Sequence, residues 1–278
     1  PDLICCHSSV AGFLGRLAIR NEIPSIFTAH GWGFNDYTPF LLKIAAMIAE
    51  KIVARYCIKI ICVSEFIKDL AINYKIAEVG KLIVIYNGIE PSTSEMRFPT
   101  SLAKIIFIGR LAEPKEPEIL IEAYLSLPED LKSKSEVLII GDGPKREVLE
   151  SLAGKNNKIK FYGSLPRDRT LEILKKSDIF VLTSKWESFG LTALEAMNFS
   201  LPVIVSGVGG LKEVVNQSCG IFVEPTNIDE MRLALEKLLT NPQIAAQMGD
   251  AAKKRAQLFN IEKMLKTTEA IYQSVCVS

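Results

Sequence analysis

Two glutamates stand eight positions apart in the segment KWESFGLTALEAM, which runs from Lys185 to Met197. Glu187 precedes a Ser-Phe-Gly corner, Glu195 follows it, and the apolar run DIFVLTS comes before both. A carboxylate is a hydrogen-bond acceptor whose two oxygens can bind two vicinal hydroxyls of a sugar. We therefore expect Glu195 to hold a ribose and Glu187 to hold a second sugar. The alternative is that Glu187 caps a helix and Glu195 is exposed.

The corner between the two glutamates also predicts an anion site. If DIFVLTS is a buried strand and a helix begins at Gly190, the amides of Phe189, Gly190 and Leu191 point out of the helix start. Free N–H groups and the helix dipole favour anions at that end of a helix. The combination suits a ligand that carries both sugar hydroxyls and phosphate.

Two cations follow another apolar run of the sequence. Arg110 comes directly after KIIFIG, and Lys115 follows five residues later at the start of a predicted helix. Together they could hold a diphosphate, because arginine offers a planar fork of donors and lysine offers a point charge. The alternative is a solvated loop with ordinary surface charges.

Glycine-rich turns and a histidine follow further apolar runs. In SGVGGLKE, Gly209 and Gly210 let the backbone approach a ligand closely before a helix begins. GDGP is a similar turn, but Arg146 stands where a dinucleotide-binding fingerprint needs its third glycine. His30 follows the run SIFTA and precedes a Gly-Trp-Gly turn, a position compatible with either a functional or a structural role.

The elements that must position these residues are short apolar runs alternating with amphipathic helical segments. We predict strands at 3–6, 25–29, 58–64, 81–86, 104–109, 136–141, 158–163, 178–184, 202–206 and 220–223. We predict helices near 9–21, 38–56, 65–75, 227–240, 242–257 and 260–274, with further helical segments between the later strands. Such runs are typical of parallel sheets covered on both faces. The fold class is therefore α/β with two doubly wound domains, whose ligands bind beyond the carboxyl ends of the strands.

Composition narrows the possible functions. A chain of 278 residues, 48% of them hydrophobic, suits two domains, and 33 Lys plus Arg balance 32 Asp plus Glu. That balance excludes the basic excess of a nucleic-acid-binding domain, and two histidines exclude a His-rich metal site. The six cysteines include no Cys-x-x-Cys pair and are interpreted as buried side chains in a reducing cytosol. No apolar run reaches the ~18 residues of a membrane span, and no signal peptide is visible.

Several of these segments stand in an order that resembles a known family. NGIE, GRLAEPK, GDGP, FYGSLP, ESFGLTALEAM and LPVIVSGVGGLKEVV resemble, over nearly the whole chain, the retaining GT-B glycosyltransferases of family 4, also called glycosyl transferases group 1. The resemblance implies transfer of a sugar from a UDP- or GDP-sugar to a saccharide or lipid-linked acceptor in envelope or exopolysaccharide synthesis. It also implies that the sugar is transferred by a front-face ion-pair route and not by a double displacement. No Asp-x-Asp motif is visible, so we expect no metal and no cofactor besides the donor.

The resemblance also implies roles for single residues at the donor. Arg110 and Lys115 would neutralise the diphosphate, and Glu195 would hold the ribose hydroxyls. Glu187, with the amides of residues 189–191, would hold the transferred sugar and its phosphate.

The resemblance also implies which segments would contact the base and the sugar of the donor. The turn from Tyr162 to Leu165 would border the base, and His30 would reach the donor sugar from the opposite domain. The pair Gly209 and Gly210 matches a glycine element that lies near the nucleotide in the family.

The sequence departs from the family in two places. Family members begin with a strand and a glycine-rich loop, so we expect two or three β/α units, roughly 60–90 residues, to be absent from an incomplete N-terminal domain. Glu116 replaces the glycine that usually follows the lysine and would bring an anion near the diphosphate. The domains we predict are 1–98 on the acceptor side, 99–258 for the nucleotide sugar, and a C-terminal helix at 259–278 that packs back on the first domain, with a linker at 87–101.

Two alternatives to this function stay open. One is another GT-B enzyme, such as a nucleotide-sugar epimerase or a phosphorylase, and the other is a truncated, inactive nucleotide-binding fragment. The location we expect is cytoplasmic, peripheral at the inner face of the membrane, because the apolar segment 40–59 has lysines and an arginine interspersed as in an interfacial helix. The alternative is a core helix with a solvated basic edge.

Overall fold

The computed structural model describes residues 1–93 and 102–276, so residues 94–101 of the predicted linker lie outside the described residues. The chain divides into two compact units. Unit 1 consists of Pro1–Gly88 and Phe259–Ser278, and unit 2 consists of Ile89–Leu258. Each unit contains one parallel sheet with helices, and the predicted α/β fold of two Rossmann-like domains is confirmed.

The sheet of unit 1 has four parallel strands in the order β1-β2-β3-β4. Its strands are β1 (Ile4–His7), β2 (Ser25–Ala29), β3 (Lys59–Cys62) and β4 (Leu82–Val84). Its helices are α1 (Ser9–Ile19), α2 (Phe40–Val53), α3 (Glu65–Asn73) and, from the end of the chain, α12 (Ile261–Cys276). Short 3₁₀ turns cover Ala54–Tyr56 and Val79–Lys81. Every residue of the central strand β2 is buried, which is why its sequence is a run without alternation.

Helix α12 contributes to the core of unit 1 although it is distant in sequence. Val275 is buried with Ile26, Ile61 and Ile85. The chain also passes close to the start of α12 at Gly88, where a β-carbon would lie 2.5 Å from the Cα of Ile261. The glycine of the NGIE segment is therefore required by close packing within unit 1.

The sheet of unit 2 has six parallel strands in the order β10-β9-β8-β5-β6-β7. They are β5 (Ala103–Ile108), β6 (Ser135–Ile140), β7 (Ile159–Gly163), β8 (Ile179–Leu182), β9 (Val203–Ser206) and β10 (Gly220–Val223). From β5 the chain builds outward through β6 and β7, then crosses to β8 on the other side of β5. The strand order therefore reverses between β5 and β8, which is where such sheets open a crevice for ligands.

Among the described residues of unit 2, eight helices connect the strands or follow them. They are α4 (Pro117–Leu125), α5 (Glu129–Ser133), α6 (Arg146–Ala153), α7 (Arg167–Leu174), α8 (Leu191–Asn198), α9 (Leu211–Val214), α10 (Ile228–Thr240) and α11 (Pro242–Ala256). Local sequence sets several starts: the side chain of Asn227 accepts a hydrogen bond from the N–H of Glu230 at α10, and proline opens α4 and α11.

All ten predicted strands are present, with ends that differ from the predicted ones by at most two residues. The last residues of several predicted runs belong to the loops that follow the strands, and these loops carry the polar side chains of interest. Within the described part of the chain, every helix is too short or too polar to cross a bilayer.

Candidate active site

The candidate residues of unit 2 gather at the carboxyl edge of its sheet, beside the reversal of strand order. Arg110 follows β5 and Glu187 follows β8. These two strands are direct neighbours, with Phe107 paired to Val181 near their carboxyl ends. The loops that carry the two side chains therefore begin next to each other, as the sequence predicted for ligand-binding loops of such a sheet.

Lys115 and Glu187 form an ion pair across these two loops, with Lys115 Nζ donating a hydrogen bond to Glu187 Oε2. Both side chains are largely shielded, with 24% and 12% of their surface exposed. The sequence assigned the lysine to a diphosphate and the glutamate to a sugar, and the structure brings them into contact. An ammonium group has three donors, so this pairing leaves Lys115 able to bind another acceptor.

Glu116 is buried, with 4% of its surface exposed, and its charge is compensated. Lys145 Nζ and Lys185 Nζ each lie 3.1 Å from a carboxylate oxygen of Glu116. Burial alone would raise the pKa of Glu116, but the hydrogen bonds from Lys185 and Lys145 outweigh it and the pKa is lowered. The anion expected near the diphosphate is therefore held by two lysines. Its backbone, with φ of 45° and ψ of 51°, is left-handed, a conformation that favours the glycine it replaces.

Arg110 is exposed at the end of β5. Among the described residues, no side chain pairs with its guanidinium, in contrast to Lys115. Its fork of donors is thus available to a ligand at the carboxyl edge.

The GDGP turn, residues 141–144, packs against the backbone of the loop that carries Arg110. The N–H of Leu111 donates to the carbonyl of Asp142 at 3.0 Å, and a β-carbon on Gly141 would lie 1.9 Å from the carbonyl oxygen of Gly109. A β-carbon on Gly143 would lie 2.4 Å from the carbonyl oxygen of Leu111. These glycines allow two backbones to touch, so the turn positions the Arg110 loop.

Helix α8 begins one residue later than Gly190, which has φ of 95° and precedes the helix without a side-chain cap. The N–H of Leu194 donates to the carbonyl of Gly190 at 3.0 Å, and the N–H groups of Leu191, Thr192 and Ala193 lie before this first intrahelical bond. Of the three amides predicted for the anion, that of Leu191 belongs to this first turn. The amides of Phe189 and Gly190 lie in the preceding corner.

Glu195 is buried on α8, with 7% of its surface exposed, and Arg167 Nη2 lies 2.7 Å from its Oε1. The contact is an ion pair without hydrogen-bond alignment, so Oε1 has no hydrogen-bond donor among the described residues. The side chain of Arg167 is 66% exposed. The alternative, with Glu187 as a cap and Glu195 exposed, is therefore wrong on both residues.

Sequence reasoning missed Arg167, the first residue of α7. The signal was its position two residues after Leu165, at the end of the FYGSLP segment. Tyr162 is 41% exposed and is the next-to-last residue of β7, directly before the connection that leads to α7. Through Arg167, the structure brings the predicted base-binding turn next to Glu195.

The Gly209 and Gly210 pair supports the loop that carries Glu187. The N–H of Gly210 donates to the carbonyl of Glu187 at 3.0 Å, and a β-carbon on Gly210 would lie 2.2 Å from the carbonyl oxygen of Ser188. Gly209 has φ of 49°, which also favours glycine. The close approach expected for a ligand at this pair is made by the 187–190 loop.

His30 lies in unit 1, exposed at the end of β2. His7, which ends β1 and was not singled out from the sequence, lies beside it, with 3.1 Å between His7 Nδ1 and His30 Nε2. Although His30 is exposed overall, the partial desolvation of its imidazole and the neighbouring His7 lower the pKa of His30. The signal in the sequence was that His7 follows one predicted apolar run and His30 follows the next, and the structure shows that these two strands are neighbours in the sheet.

Comparison with known proteins identifies two family models that match this chain. The model of "Glycosyltransferase Family 4" matches residues 1–93, and that of "Glycosyl transferases group 1" matches residues 90–255. An uncharacterised glycosyltransferase of Methanocaldococcus jannaschii is 30% identical over 281 residues, which cover 99% of this chain and 76% of the relative.

A named enzyme and a solved structure are also similar. The Escherichia coli UDP-Gal:alpha-D-GlcNAc-diphosphoundecaprenol alpha-1,3-galactosyltransferase is 28% identical over 298 residues, which cover 100% of this chain and 76% of that enzyme. The crystal structure of Anabaena HepE in complex with UDP-glucose superposes with a TM-score of 0.86 at 20% identity, covering 98% of this chain and 79% of HepE. Because the match over residues 90–255 spans more than half of the sequence, the chain belongs to the glycosyl transferases group 1 family and is a glycosyltransferase of the GT-B fold.

Proposed function

We propose that this glycosyltransferase takes its sugar from a UDP-sugar bound at the carboxyl edge of β5 and β8, and that it retains the configuration of the anomeric carbon. The observation that carries the proposal is the cluster of Arg110, the Lys115–Glu187 pair and the start of α8 on that one edge. HepE with UDP-glucose and the E. coli enzyme named for UDP-Gal support a uridine nucleotide.

The proposed chemistry is stabilisation of the leaving group. As the bond between the anomeric carbon and the diphosphate oxygen breaks, negative charge builds on the diphosphate. Arg110, Lys115 and the first amides of α8 are preorganised cations and donors that stabilise this charge in the transition state. They take the role that a metal ion has in other glycosyltransferases, so the reaction needs none.

Retention follows if the acceptor attacks on the face from which the diphosphate leaves. Of the two carboxylates at this edge, Glu187 is paired with Lys115 and Glu195 is assigned to the ribose, so the proposal uses neither as a nucleophile for a double displacement. In the front-face route the acceptor oxygen bonds to the anomeric carbon, and its proton passes to the departing diphosphate oxygen.

Glu195 is the proposed partner of the ribose. Its Oε1 is buried and has no hydrogen-bond donor among the residues that the structure describes, and a ribose hydroxyl would supply one. Arg167 contacts this carboxylate, and the segment from Tyr162 to Leu165, which precedes Arg167 in the chain, would border the base.

The first test measures UDP and UDP-sugar affinity by calorimetry. Arg110→Ala should weaken UDP binding by about 1.5–3 kcal/mol, the scale of a hydrogen bond to a charged group. Arg232→Ala is the matched control, since among the described residues Arg232 forms ion pairs with Asp229 and Glu236 of its own helix and with no other side chain. Glu187→Gln should leave UDP affinity unchanged or slightly tighter, because Lys115 loses a competing anion, while transfer falls. Equal affinities for wild type and Arg110→Ala, or a transfer activity abolished by EDTA, would contradict the proposed site.

The acceptor we propose is a lipid-linked saccharide, met at the cytoplasmic face of a membrane. Helix α2 has 14 residues, and within the described part of the chain only Glu50 and Val53 of the helix are buried. Its exposed face carries large apolar side chains: Leu41, Ile44, Ile48 and Ile52. Lys51 and Arg55 are exposed beside them. An apolar face flanked by cations suits an anionic lipid surface, and the E. coli relative is named for a diphosphoundecaprenol acceptor.

The membrane proposal is tested by cosedimentation with mixed phosphatidylcholine–phosphatidylglycerol vesicles. Ile48→Glu should reduce binding at least about tenfold, because it introduces a charge into the apolar face. Leu233→Glu alters a similarly exposed leucine of α10 and should bind like wild type. Binding of Ile48→Glu equal to that of wild type would mean that α2 is covered by something other than lipid.

A further inference from the structure

A cavity of about 530 Å³ opens at the carboxyl edge of the unit 2 sheet, beyond β9 and β10. Gly207 follows β9, Glu224 follows β10, and residues of α9 and α10 complete the wall. The cavity shares no lining residue with the donor site proposed above, and its volume lies in the range of small-molecule sites.

The lining combines one aromatic ring with several polar side chains. Phe222 is half-buried, and Lys212, Gln217 and Glu224 are exposed around it. Within the described part of the chain, the side chains of these three polar residues make no hydrogen bond or ion pair. They present unused donors and acceptors around an apolar surface.

The charge of the lining distinguishes between ligand classes. Two carboxylates, Glu224 and Glu230, outnumber the single cation Lys212, so a phosphate or a second nucleotide would be repelled. A neutral ligand with many hydroxyls matches an aromatic surface flanked by amide, ammonium and carboxylate groups. A saccharide has these properties, since its ring faces are apolar and its edges are hydroxylated.

The place of the cavity relates it to the transfer reaction. The donor loops follow β5 and β8, and the cavity follows β9 and β10 on the same edge. Neighbouring strands are about 4.8 Å apart, so β10 lies roughly 10 Å from β8. A saccharide of a few units can extend over this distance.

We propose that this cavity binds a saccharide segment of the acceptor, next to but separate from the donor site. The proposal rests on the proposed transfer to a saccharide. Phe222 packs against a sugar ring, and Gln217, Lys212 and Glu224 bind its hydroxyls. The cavity thereby contributes to the choice of acceptor.

The test measures binding of neutral trisaccharides, namely maltotriose, cellotriose and chitotriose, to the whole chain by saturation-transfer NMR with saturating UDP present. Gly207→Leu fills the cavity: a β-carbon there would meet Lys212 Cε at 3.7 Å and the Phe222 ring at 3.9 Å, which are ordinary contacts that the fold tolerates. Gln217→Ala removes one polar partner. Gln243→Ala is the matched control, an exposed glutamine on α11 outside the cavity.

At least one trisaccharide should bind the wild-type chain, and 1H–15N correlation spectra of the labelled protein should show a shift of the side-chain amide resonance of Gln217. Gly207→Leu should weaken that binding at least about tenfold and Gln217→Ala severalfold, while Gln243→Ala leaves it unchanged. Absence of binding by all three sugars, wild-type affinity in Gly207→Leu, or binding of the sugar only when UDP is omitted would overturn the proposal. UDP affinity of the wild-type chain, measured by calorimetry on samples prepared without UDP, separates the two hypotheses. A wild-type chain that binds the trisaccharide but does not bind UDP would overturn the donor site and support the cavity.

Discussion

Glu50 of α2 and Glu195 of α8 are both buried carboxylates paired with an arginine, but the two arginines have opposite surroundings. Arg16, the partner of Glu50 at 2.7 Å, has no exposed surface, whereas two thirds of the Arg167 side chain is open to solvent. The Nε of Arg16 donates to the carbonyl of Gly12, and its guanidinium lies 3.7 Å from the centre of the Phe27 ring, while its buried Nη1 has no hydrogen-bond partner among the described residues.

This difference separates a structural charge from one that is available to a ligand. Burial raises the pKa of Glu50 even though Arg16 opposes the shift, and the pair joins α1 to α2 inside unit 1. Glu195 keeps an oxygen without a hydrogen-bond donor among the described residues and has a partner at the surface. The exposure of the partner, more than the burial of the carboxylate, indicates which site can bind a ligand.

The largest effect on stability is expected when the fully buried pair of Arg16 and Glu50 is broken. Arg16→Met should lower the free energy of unfolding of unit 1 by about 3–5 kcal/mol, because it leaves the Glu50 carboxylate buried without a partner. Arg16→Met combined with Glu50→Leu should recover much of this loss, since no charge is then buried. Urea denaturation measures both variants.

Lys68→Met is the control for this experiment. It breaks the exposed pair with Glu65, and surface pairs contribute at most about 1 kcal/mol. A loss in Arg16→Met no larger than in Lys68→Met would remove the contrast between the two pairs.

A smaller effect, on ligand binding and not on stability, is expected at the pair of Glu195 and Arg167. Glu195→Gln should change the stability of unit 2 little, because Arg167 returns to solvent, but it should weaken UDP binding by about 1.5–3 kcal/mol. Calorimetry and urea denaturation on the same variant separate the two quantities. Destabilisation of unit 2 without loss of UDP affinity would place Glu195 in the same class as Glu50.

The smallest effect concerns Glu116, a third buried carboxylate, whose two lysine partners keep its pKa below the ordinary value of 4.5. A lowered pKa in the folded state contributes stability above pH 4.5, and this contribution is lost as the pH falls through the folded pKa. Glu116→Gly lacks that contribution and also relieves a left-handed backbone. We therefore expect it to lose less stability than wild type between pH 6 and pH 3.5 in urea denaturation. Parallel losses in the two proteins would show that the lysines do not stabilise the charge.

The fold could be predicted from the sequence because its strands are continuous apolar runs, and burial on both faces demands such runs. The order of the strands is not contained in that pattern. Only the placement of β8 beside β5 brings Lys115 to Glu187, so the pair could not be predicted although both residues were.

The direction in which side chains point is the second feature that could not be predicted from the sequence. The helical period of α2 predicted a helix, but hydrophobicity alone left open whether its apolar residues face a membrane or the core, and the buried face contains Glu50, the partner of Arg16. Arg167 and His7 were missed for a related reason. Each obtains its partner from a segment that is near in space and distant in sequence.

The contribution of α12 to unit 1 has a consequence for how the protein is made. The core around Ile26, Ile61 and Ile85 lacks its fourth buried member until Val275 has left the ribosome. At ~5–20 residues per second, roughly 10–40 s pass between synthesis of Gly88 and that of Val275. All of unit 2 is translated in this interval. Unit 1 of the nascent chain therefore exposes apolar surface during this interval, whereas unit 2 can already fold. We expect chaperone binding to unit 1 to be strongest before α12 is synthesised.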